Sequence, residues 1–161
     1  MDLDKLLQQV IAEARAIGIP VSQNIAPKVV VNSRAKTRFG CCRKTAEGFV
    51  IEISDRVAAA GEKACREVLA HEVLHSCCGC MSHGVRWKSY AAKMNAAYGY
   101  EISRAKKGEQ LGVETAYTPK YRLRCQSCGA VFERMRKSAI IKNYRRYRCR
   151  CGGKLELMDK E

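Results

Sequence analysis

The residues best suited to chemistry are two histidines and a glutamate in the segment His71-Glu72-Val73-Leu74-His75. On a helix, residues four positions apart lie one turn apart on the same face, so both imidazoles can reach one metal ion. Glu72 projects from the flank of that face, where a carboxylate can accept a proton from water. This H-E-x-x-H pattern is typical of zinc hydrolases.

A third metal ligand is available in His83, the only other histidine of the chain. The segment from Glu62 to Cys78 contains good helix formers and no proline, and Gly79 is predicted to end the helix. A turn at Gly79 followed by four extended residues spans roughly 13 Å, enough to return His83 to the metal. Three protein ligands beside a glutamate indicate an open fourth position, whereas structural zinc sites usually take four protein ligands. Ordinary solvated or hydrogen-bonded histidines are the alternative.

Length and composition are those of a small protein without a membrane anchor. With 161 residues and 47% hydrophobic content, the chain can bury one moderate core and a small satellite domain. No run reaches the roughly 18 apolar residues that span a bilayer, and Asp2 and Asp4 replace the basic start of a signal peptide. We therefore expect a cytoplasmic monomer whose ten cysteines are reduced or bound to metal. A processed precursor is the alternative.

The net charge of +14 is concentrated in the last quarter of the chain. Residues 1–118 hold 17 Lys/Arg and 12 Asp/Glu, whereas residues 119–161 hold 13 and 4. A basic tail on a modestly basic body indicates a polyanionic partner, and nucleic acid is the partner we expect. The alternative is a basic surface that binds nothing.

The apolar periodicity predicts an α+β fold in three parts. An alternating strand from Phe49 to Ile53 is proposed as a sheet edge that could bind an extended peptide. The predicted domains are a metallopeptidase domain over 1–104, a linker over 105–119 and a zinc ribbon over 120–161. The predicted elements are helices over 3–17, 62–78 and 82–98, with strands over 28–32, 38–42 and 49–53 in a small antiparallel sheet.

Four cysteines in the tail form a second constellation, Cys125 with Cys128 and Cys149 with Cys151. Thiolates from two glycine-containing knuckles can hold one structural zinc tetrahedrally, and a tail too short for a large core would depend on that metal to fold. The second pair is one residue tighter than the usual C-x2-C spacing. We interpret the tail as a zinc ribbon.

Cations and aromatic rings alternate between the two knuckles. Cations suit phosphates and rings suit bases, so this composition is typical of a nucleic-acid surface. Solvated faces of the ribbon strands are the alternative. The candidate nucleic-acid-binding residues are Arg134, Arg136, Lys137, Lys142, Tyr144, Arg145, Arg146, Tyr147 and Arg148.

Three further cysteines, Cys77, Cys78 and Cys80, lie between the second and third histidines. A thiolate from one of them could occupy the open zinc position and hold the site inactive until displaced or oxidised. Small, partly buried thiols in a reducing compartment are the alternative.

The layout resembles the SprT-like metalloprotease family, which includes Spartan, the eukaryotic protease for DNA–protein crosslinks. The resemblance is carried by the H-E-x-x-H segment, by the later stretch from His83 to Lys88 and by the carboxy-terminal zinc ribbon. It implies a minimal zincin-like fold, a catalytic zinc on His71, His75 and His83, and Glu72 as catalytic acid and base. The seven residues between His75 and His83 are fewer than in the family members associated with DNA repair, which implies a less covered cleft.

Three functions are compatible with these patterns. The first, favoured by the resemblance, is a zinc endopeptidase that its basic ribbon recruits to nucleic acid, with DNA-associated proteins as substrates. The second is a non-enzymatic zinc-ribbon protein that binds DNA, although Glu72 argues against it. The third is a zinc hydrolase of a non-peptide substrate, because H-E-x-x-H specifies activated water and not the bond attacked.

Overall fold

The computed structural model describes residues 1–106, 108–113 and 119–158. The chain divides into two compact units, Met1–Thr115 and Ala116–Glu161. Each unit surrounds its own cluster of buried apolar side chains. Helices and small sheets both contribute, so the predicted α+β class is confirmed.

The first unit combines helices with a three-stranded sheet. Ser54 caps α2 (Asp55–Ala59), because its hydroxyl accepts a hydrogen bond from the Val57 N–H at 3.3 Å. Among the described residues, the elements are α1 Leu3–Ala16, β1 Val30–Asn32, β2 Gly40–Lys44, β3 Phe49–Ser54, α2 Asp55–Ala59, α3 Glu62–His75 and α4 Val85–Tyr98.

The sheet differs from the sequence prediction in two respects. Its order is β1-β3-β2, with β1 parallel and β2 antiparallel to β3, so the sheet is mixed and not antiparallel. The strand from Phe49 to Ile53 is central, and the proposal that it forms a sheet edge is wrong. A run of four buried residues from Ile51 to Ser54 is typical of a strand with neighbours on both sides.

Helix α3 is the centre of the first unit, since it packs against α1, α2, α4, β2 and β3. Most of its side chains are buried, including polar Glu67, Glu72 and His75. It ends at His75, three residues before the predicted Cys78. The Ser76 hydroxyl donates to the Val73 carbonyl at 2.7 Å, which satisfies a carbonyl of the last turn.

The residues after α4 pack on the first unit. Leu111 and Val113 belong to its buried cluster, and the Lys106 ammonium lies 2.9 Å from the Glu67 carboxylate. These residues fall within the stretch predicted as a linker, of which Lys107 and residues 114–118 lie outside the described part. The domain bounds of 1–104, 105–119 and 120–161 stay a prediction.

The second unit is a small antiparallel sheet of order β5-β4-β6. Within the described part of this unit, the buried cluster consists of Leu123, Cys125, Ile141, Cys149 and Leu155, of which two are cysteines. The elements are β4 Tyr121–Cys125, β5 Val131–Arg134, a helical turn α5 Ala139–Lys142 and β6 Leu155–Met158.

Within the described residues, no helix is both long and apolar enough to cross a lipid bilayer.

Replacement of Ile51 by alanine should destabilise the first unit. Ile51 is 0% exposed on the central strand, so its truncation leaves a cavity and should lower the free energy of unfolding by about 2–5 kcal/mol. Val31 on β1 is 47% exposed, and Val31→Ala should change that free energy by no more than about 0.5 kcal/mol. Urea denaturation of both variants tests the assignment of β3 as central; equal losses would contradict it.

Candidate functional site

The three histidines come together although they belong to two segments. His71 and His75 lie on the last turn and a half of α3, and His83 lies in the loop before α4. The Nε2 atom of His71 is 3.3 Å from that of His75 and 2.9 Å from that of His83. Nitrogens bound to a tetrahedral zinc at about 2.0–2.1 Å lie about 3.3 Å from one another. The three side chains therefore fit one zinc ion.

Backbone carbonyls fix the protonation of two of these rings. His71 Nδ1 is 3.1 Å from the Ser103 oxygen, and His75 Nδ1 is 2.6 Å from the Cys80 oxygen. A carbonyl can only accept, so each Nδ1 carries the proton and each Nε2 presents a lone pair. Burial lowers the pKa of His71 to about 4 and also lowers those of His75 and His83. Neutral imidazole is the form that binds metal.

Trp87 forms the floor of the cluster. It is 1% exposed, and its ring centroid lies 4.7, 5.5 and 4.5 Å from those of His71, His75 and His83. The indole stacks on His75 and meets the other two rings edge to face. This buried residue of α4 thus supports all three imidazoles.

Glu72 is buried beside the histidines and faces β2. A backbone hydrogen bond joins its carboxyl group to Cys42, and the Arg38 guanidinium lies near enough to favour the charged form. Burial outweighs both effects and raises the pKa of Glu72 to about 7. A carboxyl group with a pKa near neutrality can both accept and return a proton at neutral pH.

Gly40 permits the close approach of β2 to α3, and the sequence patterns did not single it out. A Cβ atom at this position would lie 2.7 Å from Val68 Cγ1 and 2.8 Å from both Cγ and Oε1 of Glu72. Real Cβ atoms do not make contacts that short, so any side chain here would displace Glu72 or the strand. Gly40 thereby determines where the carboxylate lies.

Two side chains that the sequence patterns did not single out, Glu67 and Asn95, anchor the segment from Glu101 to Lys106, which we call the wall. The buried Glu67 carboxylate accepts from the Glu101 N–H and from Lys106 Nζ, both at 2.9 Å. The Asn95 side chain pairs with both backbone groups of Ile102, at 2.8 and 3.1 Å. The wall brings the Ser103 carbonyl to His71. Lys106 lies in the predicted linker, so only the fold relates it to the site.

The cysteines between the histidines do not join the metal-binding cluster. Among the described residues, the group containing His71, His75 and His83 includes no thiol. Cys77 and Cys80 are buried, and burial raises the pKa of both thiols, that of Cys77 to about 12. A high pKa keeps a thiol protonated and a poor ligand. The geometry therefore gives no support to a thiolate in the fourth zinc position.

The four ribbon cysteines also converge. Cys125 Sγ is 3.5 Å from Cys151 Sγ, and Cys128 Sγ is 3.6 Å from Cys149 Sγ. These distances exceed a disulfide bond and are near the roughly 3.8 Å expected around a tetrahedral zinc with bonds of about 2.3 Å. Backbone N–H groups of Cys128 and Ser127 lower the pKa of the Cys125 thiol to about 6.

Two glycines allow the closely spaced pair Cys149 and Cys151 to join the other two cysteines. Gly152 has φ +85°, a conformation that favours glycine. A Cβ atom on Gly153 would lie 2.6 Å from Cys125 Sγ, so this glycine permits the two knuckles to approach. Both clusters can therefore hold a metal, and their donor sets are consistent with zinc.

The candidate nucleic-acid residues of the second unit are mostly exposed. All seven cations among them are exposed, and Tyr147 is 40% exposed. Tyr144 is half-buried against the ribbon core, with the Arg145 guanidinium 5.8 Å from its ring centroid. Tyr147 is thus the more accessible ring for stacking on a base, and Tyr144 has a structural role as well.

Comparison with known protein families matches residues 8–106 to the SprT-like family. The matched stretch is more than half of the 161 residues and includes the three histidines and Glu72. No curated protein and no solved structure matches the chain. The match confirms the resemblance found in the sequence and concerns the first unit.

Zinc binding to the three histidines should change the fluorescence of Trp87, the only tryptophan of the chain. His83→Ala removes one ligand and should weaken the zinc affinity measured by that signal more than about 10-fold, since even an outer partner of a ligand is worth this much. Cys151→Ser is the control, because it alters only the ribbon cluster and should leave the fluorescence titration unchanged. A titration insensitive to His83→Ala would exclude this site.

Proposed function

Because the chain belongs to the SprT-like family, whose members are typically metalloproteases, we propose that it is a zinc-dependent endopeptidase. The observation that carries this proposal is the convergence of three neutral imidazoles beside one buried carboxylate. Three protein ligands leave a coordination position for water or substrate, as in catalytic zinc sites. His71, His75 and His83 are the proposed ligands and Glu72 is the proposed acid and base.

The proposed chemistry divides between a metal and the carboxylate. A zinc ion held by the histidines would supply Lewis acidity toward water and toward the peptide carbonyl. Glu72 would accept the proton of the attacking water on its carboxylate and return it to the leaving amine. Burial favours the protonated form of Glu72, from which the proton can pass to the leaving amine. The Ser103 and Cys80 carbonyls would hold the imidazoles in the ligating tautomer throughout.

The substrate would bind as an extended segment along β2. Among the described residues β2 pairs only with β3, so the opposite edge of β2 has no strand partner. An extended peptide can add to such an edge through backbone hydrogen bonds. Gly40, at the start of β2, lies against Glu72, so a peptide on this edge would pass the proposed acid and base.

We further propose that the ribbon binds nucleic acid and that the substrates are DNA-associated proteins. The exposed cations of the second unit support this proposal, since seven lie in one stretch from Arg134 to Arg148. Enzyme and substrate bound to one polyanion have a raised effective concentration without new contacts between them. A cytoplasmic location is proposed as well, in which the cysteines would be reduced or bound to metal.

The direct test is cleavage of a DNA-binding protein by zinc-loaded wild type and by Glu72→Gln, with and without single-stranded DNA. Loss of the proton acceptor should reduce cleavage about 100-fold or more while zinc stays bound. DNA should stimulate the wild type, and truncation after Thr118 should remove that stimulation but spare cleavage of a short peptide. Equal cleavage by wild type and Glu72→Gln would refute the proposed role of Glu72.

Gly40→Ala should lower kcat about 10- to 100-fold without loss of zinc. The added methyl group overlaps Glu72 and Val68, and a displacement of about 1 Å at a reacting group can cost this much. Gly84→Ala is the matched control, because a Cβ atom there meets only Ser82 Oγ, at 3.9 Å. The effect is tested by measuring the steady-state kinetics and the zinc content of both variants. A normal kcat for Gly40→Ala would contradict the proposed geometry.

Arg146→Ala should weaken binding of single-stranded DNA and reduce its salt dependence. Loss of one phosphate contact should lower the slope of log K against log salt by about 0.7. Among the described residues Arg146 has no acidic partner, whereas Arg122 Nε lies 3.2 Å from the Glu133 carboxylate. Arg122→Ala is therefore the control and should change the slope less. Identical slopes for both variants, measured by fluorescence anisotropy, would refute the assigned surface.

A further inference from the structure

We propose that a pocket beside His71 and Glu72 binds a large, uncharged side chain of the substrate, next to the bond that is cleaved. The proposal rests on the proposed peptidase function and specifies the substrate class of that site. It would make the enzyme selective for segments that place a leucine, methionine, phenylalanine or similar side chain at the cleavage point.

The pocket lies between the start of β2 and the wall, the segment from Glu101 to Lys106. Its volume is about 220 Å³, and His71 and Glu72 line it on the α3 side. An apolar cavity of about 150 Å³ holds a benzene molecule, so this pocket has room for an aromatic or large aliphatic side chain. The apolar part of its lining comes from Phe39, Val68, Ile102, Ala105 and Leu111.

Two charged groups of the pocket lining, Glu67 and Lys106, are already paired with each other. Glu67 Oε1 accepts from the Glu101 N–H, and Glu67 Oε2 accepts from Lys106 Nζ, which also lies 3.6 Å from the Glu101 carboxylate. A charged substrate side chain would lose hydration beside this pair without gaining a free partner from it. Arg104 also lines the pocket, but it is exposed to solvent. The electrostatics therefore favour an uncharged occupant.

The pocket is formed before substrate arrives, because the wall is fixed to both neighbouring helices. Glu67 and His71 anchor it to α3 through Glu101, Lys106 and Ser103. Asn95 anchors it to α4 through both backbone groups of Ile102. A preformed apolar pocket beside reactive groups is the usual form of a specificity site.

The position of the pocket suits a side chain from a peptide on β2. Phe39 and Gly40, at the start of that strand, belong to the lining, and Gly40 also contacts Glu72. Successive side chains of an extended peptide point to opposite sides, so every second one can enter a lateral pocket. The residue that enters beside Glu72 is then a neighbour of the reacting carbonyl.

Ala105→Trp provides the test, because Ala105 is an exposed part of the lining and does not belong to the buried core. Two peptides that differ only in leucine or glycine at the cleavage point serve as substrates. Wild type should prefer leucine in kcat/KM by about 10- to 100-fold, and Ala105→Trp should remove most of that preference. Ala96→Trp, exposed on α4 and outside the lining, is the matched control and should behave as wild type.

Binding provides a second readout that requires no turnover. In a Glu72→Gln background, fluorescence anisotropy should show tighter binding of the leucine peptide than of the glycine peptide, and Ala105→Trp should abolish the difference. If wild type cleaves both peptides and Ala105→Trp leaves their ratio unchanged, the pocket assignment is overturned and the peptidase proposal stands. If zinc-loaded wild type cleaves no peptide or protein, the proposed function is overturned, and the pocket assignment with it.

Discussion

The structure depends on holding three imidazole lone pairs close together, with His71 Nε2 3.3 Å from His75 Nε2 and 2.9 Å from His83 Nε2. Such an arrangement is electrostatically unfavourable until a cation lies between the lone pairs, so the fold must impose it. The Cys80 and Ser103 carbonyls fix two rings by accepting from Nδ1, and Trp87 supports all three from below. The end of α3 at His75 also helps to fix the rings, because the chain turns there and brings the Cys80 carbonyl to His75.

The remaining elements of the first unit position the carboxylate and the cleft around this cluster. Helix α3 is buried by contacts on nearly all sides, so its histidines and Glu72 project from a rigid support. β2 approaches that helix closely because residue 40 is a glycine. On the other side of the cleft, Glu67 holds the wall through a hydrogen bond from the Glu101 N–H. In the second unit, the buried core itself includes candidate metal ligands. Among the described residues, Cys125 and Cys149 belong both to its buried core and to the cysteine group that could hold a metal, so a bound metal would be part of that core.

The features predicted from the sequence are those that depend on residues close together in the chain, such as motifs and helices. Spacing alone identified His71, Glu72 and His75, and the cysteine knuckles were found from Cys-Gly segments even with the shortened second pair. Periodicity gave α1 and α4 to within a few residues. Strand order was not accessible in this way, because alternation shows which face is buried and not which strand lies alongside; the central position of β3 was therefore missed.

The supporting residues of the site were also beyond sequence patterns. Gly40 is required by a contact with Glu72, 32 positions away, and a lone glycine before a strand gives no sign of that contact. Glu67 and Lys106 are ordinary charged residues in the sequence, and only the fold makes them a buried pair. The shape of the cleft depends on long-range contacts of this kind, whereas the types of its candidate reactive side chains can be read from short motifs.

The central claim is that three histidines, and no cysteine, hold the zinc beside Glu72. A crystal structure of the zinc-loaded protein with an anomalous difference map tests it most directly. We expect a peak about 2.0–2.1 Å from the Nε2 atoms of His71, His75 and His83, with no thiol within bonding distance. A zinc bound by Cys77, Cys78 or Cys80, or the absence of a peak at the histidines in a protein with a loaded ribbon, would contradict it.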